Sequence, residues 1–253
     1  MKKLVKILAL AVATLGLAAC EIDNYDAPCA GVEGKIIDKV TGQNMELAQG
    51  GGNFSLRILE TSWAKGDETV VTGFQSLNMM QDGTFRNTKL FHGTYEMWPF
   101  ETCCYEGEES KQTVELKDNK ITTVNFEVTP YFEVEWVGDP WQDAEGYVHA
   151  TFKFKCNPVP EGRTAAVAEK AQLFLSTTMK VGTSSDSRYS NNELSVTNAS
   201  EDNILEAVSK VPVYFSQKLW LRCGVKAKVD AAHQVYDKYC MTSIKTLDVK
   251  GTK

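Results

Sequence analysis

A strand–turn–strand pattern at Asp82–Tyr95, with the sequence DGTFRNTKLFHGTY, constrains the fold more than any other stretch of the chain. Asp82-Gly83 is typical of a tight turn, because aspartate accepts hydrogen bonds from nearby backbone and glycine tolerates positive φ. A second break, His92-Gly93, divides the extended run that follows. Alternation with a period of two recurs along the rest of the chain, with turn residues at short intervals. This pattern predicts an all-β protein built from short strands.

The first predicted domain spans residues 29–128 and contains three motifs in a fixed order. They are G-x-I-x-D-x-x-T-G from Gly34 to Gly42, then D-G-T-F, then G-T-Y. Together they resemble the carboxypeptidase-regulatory-like, transthyretin-like sandwiches. The resemblance implies that Phe85 and Tyr95 fill the space between two sheets, and we also expect Phe91 to be part of that core.

The second predicted domain spans residues 129–253, because Pro130 cannot donate to a central ladder and marks a junction. Leu219–Ala227 alternates, which predicts Cys223 inward and Arg222 outward. A short helix is predicted at Ile204–Val211. About seven short strands in such a length are typical of an immunoglobulin-like or fibronectin-III-like sandwich.

Cysteine usage suggests disulfides. Six cysteines follow Cys20, which permits up to three bridges in an oxidising compartment. Cys156 and Cys223 are both predicted to face inward, and their placement resembles the inter-sheet bridge of immunoglobulin domains. Two buried thiols, or a Cys223–Cys240 pair, are the alternatives. No C-x-x-C spacing occurs and the chain has only three histidines, so no metal site is expected. No other cofactor is expected either, since no dinucleotide or phosphate-binding motif occurs.

The N-terminus predicts a lipid anchor. Residues 1–19 combine three early lysines with the apolar run Leu8–Leu17, as in a bacterial signal peptide. Leu-Ala-Ala before Cys20 resembles a lipobox, so Cys20 is the predicted lipidation site; an ordinary secretory signal is the alternative. Residues 20–28 form an acidic tether, which in Bacteroidetes-type bacteria resembles an export signal. We expect a lipid-anchored outer-membrane protein at the cell surface, with the periplasmic face as the alternative.

The charge balance and the absence of known catalytic motifs argue against two classes of function, nucleic-acid binding and catalysis. Lysine and arginine total 27 against 33 aspartates and glutamates, which argues against nucleic acid as a partner. The three histidines, at positions 92, 149 and 233, are far apart, and no nucleophile or phosphate-binding motif occurs. We therefore expect no catalytic residues and no enzyme activity.

Two tryptophans are candidate ligand contacts. Trp63 and Trp141 lie in polar, loop-like stretches. Sugar rings present apolar C–H faces that pack on a flat indole, although ordinary packing is the simpler alternative for either side chain.

The residues 25–28 (YDAP), the Asp82–Tyr95 unit and Phe126–Tyr131 together resemble an uncharacterised family of Bacteroidetes-type lipoproteins. The resemblance implies an accessory component of a polysaccharide-utilisation system. Its partners would be a TonB-dependent transporter, a starch-binding-type lipoprotein and a glycan. We expect a non-catalytic binding or accessory module; a structural or adhesion protein of the cell surface is the alternative.

Overall fold

The computed structural model describes residues 27–48, 52–63, 73–183, 189–191, 193–197 and 203–251. Across these ranges the regular structure is strand, apart from two short 3-10 turns, so the predicted all-β fold of tandem sandwiches is confirmed. None of the described residues forms a helix long and apolar enough to cross a membrane. The predicted signal peptide and Cys20 lie outside the described residues.

The described strands follow one another with short connections. They are β1 (Ala30–Asp38), β2 (Ser55–Glu60), β3 (Gln75–Leu77), β4 (Thr84–Leu90), β5 (Gly93–Phe100), β6 (Gln112–Leu116), β7 (Ile121–Thr123), β8 (Phe126–Val128), β9 (Phe132–Trp136), β10 (Trp141–Gln142), β11 (Val148–Cys156), β12 (Ala168–Ser176), β13 (Leu194–Ser195), β14 (Leu205–Val208), β15 (Gln217–Ala227), β16 (Tyr239–Met241) and β17 (Lys245–Val249).

The first eight strands form two sheets. One has the order β4-β1-β7, and β8 also pairs with β1; the other has the order β3-β2-β5-β6. Alternate side chains of both sheets are buried in one core, including Ile36, Leu56, Phe85 and Met97. At the predicted Asp82-Gly83 turn, Gly83 has a φ of +74°, which is the left-handed region that favours glycine.

The later strands also form two sheets. Their orders are β10-β11-β14 with β9 on β11, and β13-β12-β15-β16 with β17 on β15. Leu221, Cys223 and Val225 are fully buried, as the alternation predicts. The helix predicted at Ile204–Val211 is wrong. Its centre is strand β14, which pairs with β11 and buries Ala207, so sheet pairing overrides the local helical preference.

The predicted bridge between Cys156 and Cys223 is absent from the structure. Cys223 is buried in β15, whereas Cys156 is exposed because the inward alternation of β11 ends with Phe154. Cys223 also does not pair with Cys240, which lies opposite Val225. The Cys240 thiol instead donates to the Cys103 carbonyl at 3.3 Å.

A buried arginine joins the two domains. Arg222 faces away from its own sandwich core as predicted, but it is fully buried because the first domain covers it. Its guanidinium donates to the Leu47 carbonyl at 2.7 Å and to the Thr242 carbonyl at 2.7 Å, and it contacts the Glu46 carboxylate at 3.1 Å. Burial lowers the pKa of Arg222 to about 10, although Glu46 opposes the shift.

Two amides add further contacts between the domains. The Asn53 side chain donates to the Tyr239 carbonyl at 2.9 Å. The Gln81 side chain donates to the Met179 carbonyl at 2.8 Å and accepts from the Val181 amide at 2.9 Å. The Asn53 contact is buried and the Gln81 contacts lie nearer the surface, and together these directional hydrogen bonds hold the domains in one relative orientation.

Candidate ligand-binding site

A cavity of about 750 Å³ opens on the first domain, where the end of β2, the start of β3 and the turn between β4 and β5 meet. The lining combines aromatic rings with polar side chains. Its residues are Ile58, Glu60, Ser62, Trp63, Gly73, Gln75, Lys89, Leu90, Phe91, His92 and Tyr95. Apolar walls with a few polar groups are typical of small-molecule sites.

Glu60 anchors the segment that carries Trp63. Its carboxylate accepts from the Trp63 amide at 2.7 Å and from the Ser62 amide at 2.8 Å, and it also contacts the Ser62 hydroxyl. The Ser62 hydroxyl in turn accepts from the Thr94 amide at 3.0 Å, which ties the segment to β5. The backbone at Trp63 is therefore held by a side chain of the preceding strand.

Gly93 makes this arrangement possible. Its φ is +154°, and a Cβ there would lie 2.7 Å from a carboxylate oxygen of Glu60 and 2.8 Å from the Ser62 hydroxyl. A larger residue would displace the anchor of Trp63. The glycine of the predicted G-T-Y motif therefore serves the cavity wall as well as the turn.

Two exposed rings form the apolar part of the cavity. Trp63 is 62% exposed and Phe91 is 52% exposed. The prediction that Phe91 belongs to the core is wrong, because it lies in the turn beyond β4, where the alternation of buried positions has ended. Beneath them, the Tyr95 hydroxyl donates to the Phe91 carbonyl at 3.0 Å, and burial together with the Glu60 charge raises the pKa of Tyr95.

The polar part of the cavity comes from Gln75, Lys89 and His92, all exposed. His92 contacts Asp118 at 3.1 Å, which also accepts from the Cys29 thiol at 3.1 Å. The Cys29 hydrogen bond, then His92, lowers the pKa of Asp118. The three cavity side chains provide donors and acceptors suited to hydroxyl groups.

Trp141 is placed elsewhere. It lies on β10 in the second domain, is 50% exposed, and does not line the cavity. Its indole stacks on the His149 ring, with centroids 4.1 Å apart and planes inclined by 9°. Both nitrogens of His149 contact carboxylates, Glu206 at 2.9 Å and Asp143 at 3.0 Å. Among the described residues, no group of three or more histidines, cysteines and acids is arranged to hold a metal ion.

The His149 contacts should make stability depend on pH. Burial lowers the pKa of His149, but Asp143 and Glu206 outweigh it, so the pKa is raised above 6.5. The His149 hydrogen bond lowers the pKa of Asp143 below 3.8. The stabilisation from His149 is therefore complete below its unfolded pKa and is lost as pH rises through its folded pKa. The stabilisation from Asp143 is present above its unfolded pKa and is lost as pH falls through its folded pKa.

We expect the difference in melting temperature between the wild type and His149→Phe to be largest near pH 5–6 and to shrink by about pH 8. Phenylalanine keeps a ring against Trp141 and removes both hydrogen bonds. Thermal melts across this range measure the difference, and a difference that stays constant from pH 5 to 9 would contradict the ion-pair assignment.

Most of the cavity's distinctive geometry comes from residues that the sequence analysis did not assign to a site. They are Glu60, Ser62, Phe91, His92 and Gly93. The one local signal is a polar residue pair, Glu60 and Ser62, directly before Trp63 at the end of a strand. Aspartate, glutamate and serine side chains in such positions commonly accept hydrogen bonds from nearby backbone amides.

Several solved structures share the fold. A DUF3823 family protein from Bacteroides uniformis is 22% identical with a TM-score of 0.73, and the match covers 88% of this chain and all of that chain. A proposed carbohydrate-binding protein from the same species is 18% identical with a TM-score of 0.65, covering 87% and 99%. A DUF3823 family protein from Parabacteroides merdae is 23% identical with a TM-score of 0.59, covering 88% and 100%.

No curated protein matches the sequence. Residues 30–129 match the N-terminal domain of DUF3823, a family of proteins of unknown function. This range coincides with the first sandwich, from β1 to the residue after β8. The predicted resemblance to an uncharacterised Bacteroidetes family is confirmed: the first sandwich is similar to the DUF3823 N-terminal domain, and the whole described fold is similar to solved DUF3823 family proteins.

Proposed function

We propose that this protein is a non-catalytic binding module for carbohydrate, anchored by lipid at Cys20 to the outer membrane and exposed at the cell surface. The observation that carries the proposal is the cavity in which Trp63 and Phe91 stand exposed beside Gln75, Lys89 and His92. A sugar ring has an apolar C–H face and a rim of hydroxyls, so it needs this combination of ring and polar groups.

The anchoring of Trp63 favours binding over incidental exposure. Its backbone is held by Glu60, and Glu60 is held by Ser62, which bonds to β5. A ring whose segment is already ordered loses less conformational entropy when a ligand binds. The engagement of Glu60 in this anchor leaves Gln75, Lys89 and His92 as the side chains that contact ligand hydroxyls.

Two further observations support a carbohydrate ligand and a lipid-anchored location. A structural relative, at 18% identity, is described as a proposed carbohydrate-binding protein. The signal and Cys20 are typical of a lipoprotein, and the family resemblance implies a polysaccharide-uptake system. We therefore propose a TonB-dependent transporter and its starch-binding-type lipoprotein as partners.

Trp63→Ala should lower the affinity for a bound polysaccharide by roughly tenfold or more, because a tryptophan at the centre of a site commonly contributes a large share of binding energy. Affinity gel electrophoresis against a panel of neutral polysaccharides identifies the ligand, and isothermal titration measures the change. Phe215→Ala is the matched control, since Phe215 is an aromatic residue 73% exposed that does not line the cavity.

If Trp63→Ala and Phe215→Ala bind equally well to a polysaccharide that the wild type binds, the cavity is not the site. If the wild type binds none of the panel, the carbohydrate proposal is wrong. The structural or adhesion alternative would then be favoured.

A further inference from the structure

The second domain carries an aromatic surface separate from the cavity, which we call the Trp141 platform: Trp141, His149, Asp143 and Glu206. One face of the indole lies on His149 at a centroid distance of 4.1 Å. Trp141 nevertheless remains 50% exposed, so the indole presents apolar surface to solvent. An exposed large aromatic ring is ordinary by itself, but Trp141 differs from most such rings because its neighbours hold it firmly in place.

The ring beneath the indole is fixed at both nitrogens. His149 Nδ1 contacts Glu206 from β14 at 2.9 Å, and His149 Nε2 contacts Asp143 at 3.0 Å. Asp143 is itself oriented, because it accepts from the Tyr147 amide at 2.7 Å. His149 therefore cannot turn without breaking two contacts, and the indole rests on a rigid support.

The strand that carries Trp141 is fixed as well. β10 pairs with β11 through Trp141 opposite His149. The adjacent Gln142 side chain donates to the Lys250 carbonyl at 3.0 Å and accepts from the Lys250 amide at 2.8 Å. The chain's C-terminal segment thus clamps this two-residue edge strand. A preorganised aromatic surface of this kind binds with a small entropic cost.

The platform also carries acceptors beside the ring. The Glu206 side chain is 56% exposed and engages His149 through one oxygen, which leaves the other for a ligand. Carboxylates accept from sugar hydroxyls, and an indole face packs on the C–H face of a pyranose. Asp143 adds a second negative charge, and a protonated His149 balances only one of the two carboxylates, so the cluster stays negative and an anionic sugar would be repelled.

We propose that the Trp141 platform is a second carbohydrate-contact site, and that it takes the C–H face of a neutral pyranose rather than a uronic acid. Trp141 supplies the stacking surface and Glu206 a hydroxyl acceptor, while His149 and Asp143 position the indole. The inference rests on the proposed function, because it concerns the same class of ligand. It does not depend on the Trp63 cavity, which lies in the other domain.

The experiment measures binding to neutral polysaccharides, with amylopectin, xyloglucan and galactomannan as the probes and polygalacturonate as the acidic comparison. Affinity gels compare the wild type with Trp141→Ala, Trp141→Phe, Trp63→Ala and Phe215→Ala, each checked by thermal melting for an intact fold. We expect Trp141→Ala to weaken binding to a neutral polysaccharide by roughly five- to tenfold, because the variant loses the indole surface on which the sugar ring packs. Trp141→Phe should recover part of the lost affinity, because it keeps an aromatic ring. Polygalacturonate should bind the wild type weakly or not at all.

The outcomes separate the two proposals. Loss of binding with Trp63→Ala but not with Trp141→Ala overturns the platform and leaves the cavity. Loss with Trp141→Ala but not with Trp63→Ala supports the platform and overturns the cavity. Tighter binding to polygalacturonate than to every neutral probe overturns the assigned ligand class, and a wild type that binds no probe overturns both proposals.

Discussion

Arg222→Ala should lower the free energy of unfolding by about 3–5 kcal/mol, because removing one member of a buried charged network leaves its partners unsatisfied. Arg222 is fully buried and donates to the carbonyls of Leu47 and Thr242 as well as to Glu46. Because the contacts with Leu47 and Glu46 join the second domain to the first, the loss should appear as a lower melting temperature and as protease cleavage between the domains. Calorimetry and limited proteolysis measure the two effects.

Arg222→Lys should recover little of that stability, since one ammonium group cannot reproduce the planar fork of donors. Arg86→Ala is the matched control. The Arg86 side chain is 62% exposed and lies 3.5 Å from Glu33, so its loss should change the melting temperature little. Equal effects of Arg222→Ala and Arg86→Ala would show that burial between the domains is not what makes Arg222 important.

Gly34→Ala should prevent the first domain from folding, with a cost above about 4 kcal/mol, the range reserved for severe steric or packing defects. A Cβ at Gly34 would lie 1.6 Å from the Val124 carbonyl oxygen and 2.7 Å from its carbon. Both are backbone atoms, and they cannot move aside, because the Val124 amide donates to the Glu33 carbonyl at 2.8 Å. Soluble yield and the melting temperature measure the effect.

Gly73→Ala is the control for Gly34→Ala, since a Cβ at Gly73 would meet no atom within 4 Å. It should leave stability within about 0.5 kcal/mol of the wild type, as for most surface substitutions. A Gly34→Ala protein that melts with the wild type would mean that β1 and the segment after β7 are not packed as closely as the structure has them.

The alternation of Leu219–Ala227 illustrates what could be predicted from sequence. Successive side chains of a strand point to opposite faces, so the pattern predicts the inward set, and Leu221, Cys223 and Val225 are indeed fully buried. The same pattern predicts that Arg222 points outward, which is correct for its own sandwich. It cannot predict that another domain covers that outer face.

Short segments were predicted less well. Ile204–Val211 has a local pattern compatible with a helical turn, yet Leu205–Val208 pairs with β11 along four positions. Cys156 continues the alternation of β11 in the sequence, yet it is exposed where the strand leaves the core. Pairing with the distant strand β11 decides the conformation of the first segment, and the point where β11 leaves the core decides the exposure of Cys156. Neither can be predicted from a short stretch of sequence.

In the candidate site, too, local sequence predicts some features and long-range contacts decide the others. The polar surroundings of Trp63 and Trp141 predict that both are exposed, and both are, but the sequence does not indicate which of them lies in a cavity. The cavity exists because β2 pairs with β5, which brings Glu60 and Ser62 against Gly93 and Thr94, more than thirty positions away along the chain.

The Asp82–Tyr95 stretch shows most plainly which features can be predicted from local sequence and which cannot. Its turn at Gly83 and its buried Phe85 follow from local rules, since positive φ favours glycine and pleating alternates side chains. The sequence by itself thus determined an all-β chain, its turns and the inward faces of its longer strands. Only the tertiary structure decided that the end of this stretch lines a cavity and that Arg222 is buried between domains. Those facts depend on which distant surfaces meet, and that is settled by packing rather than by local conformational preference.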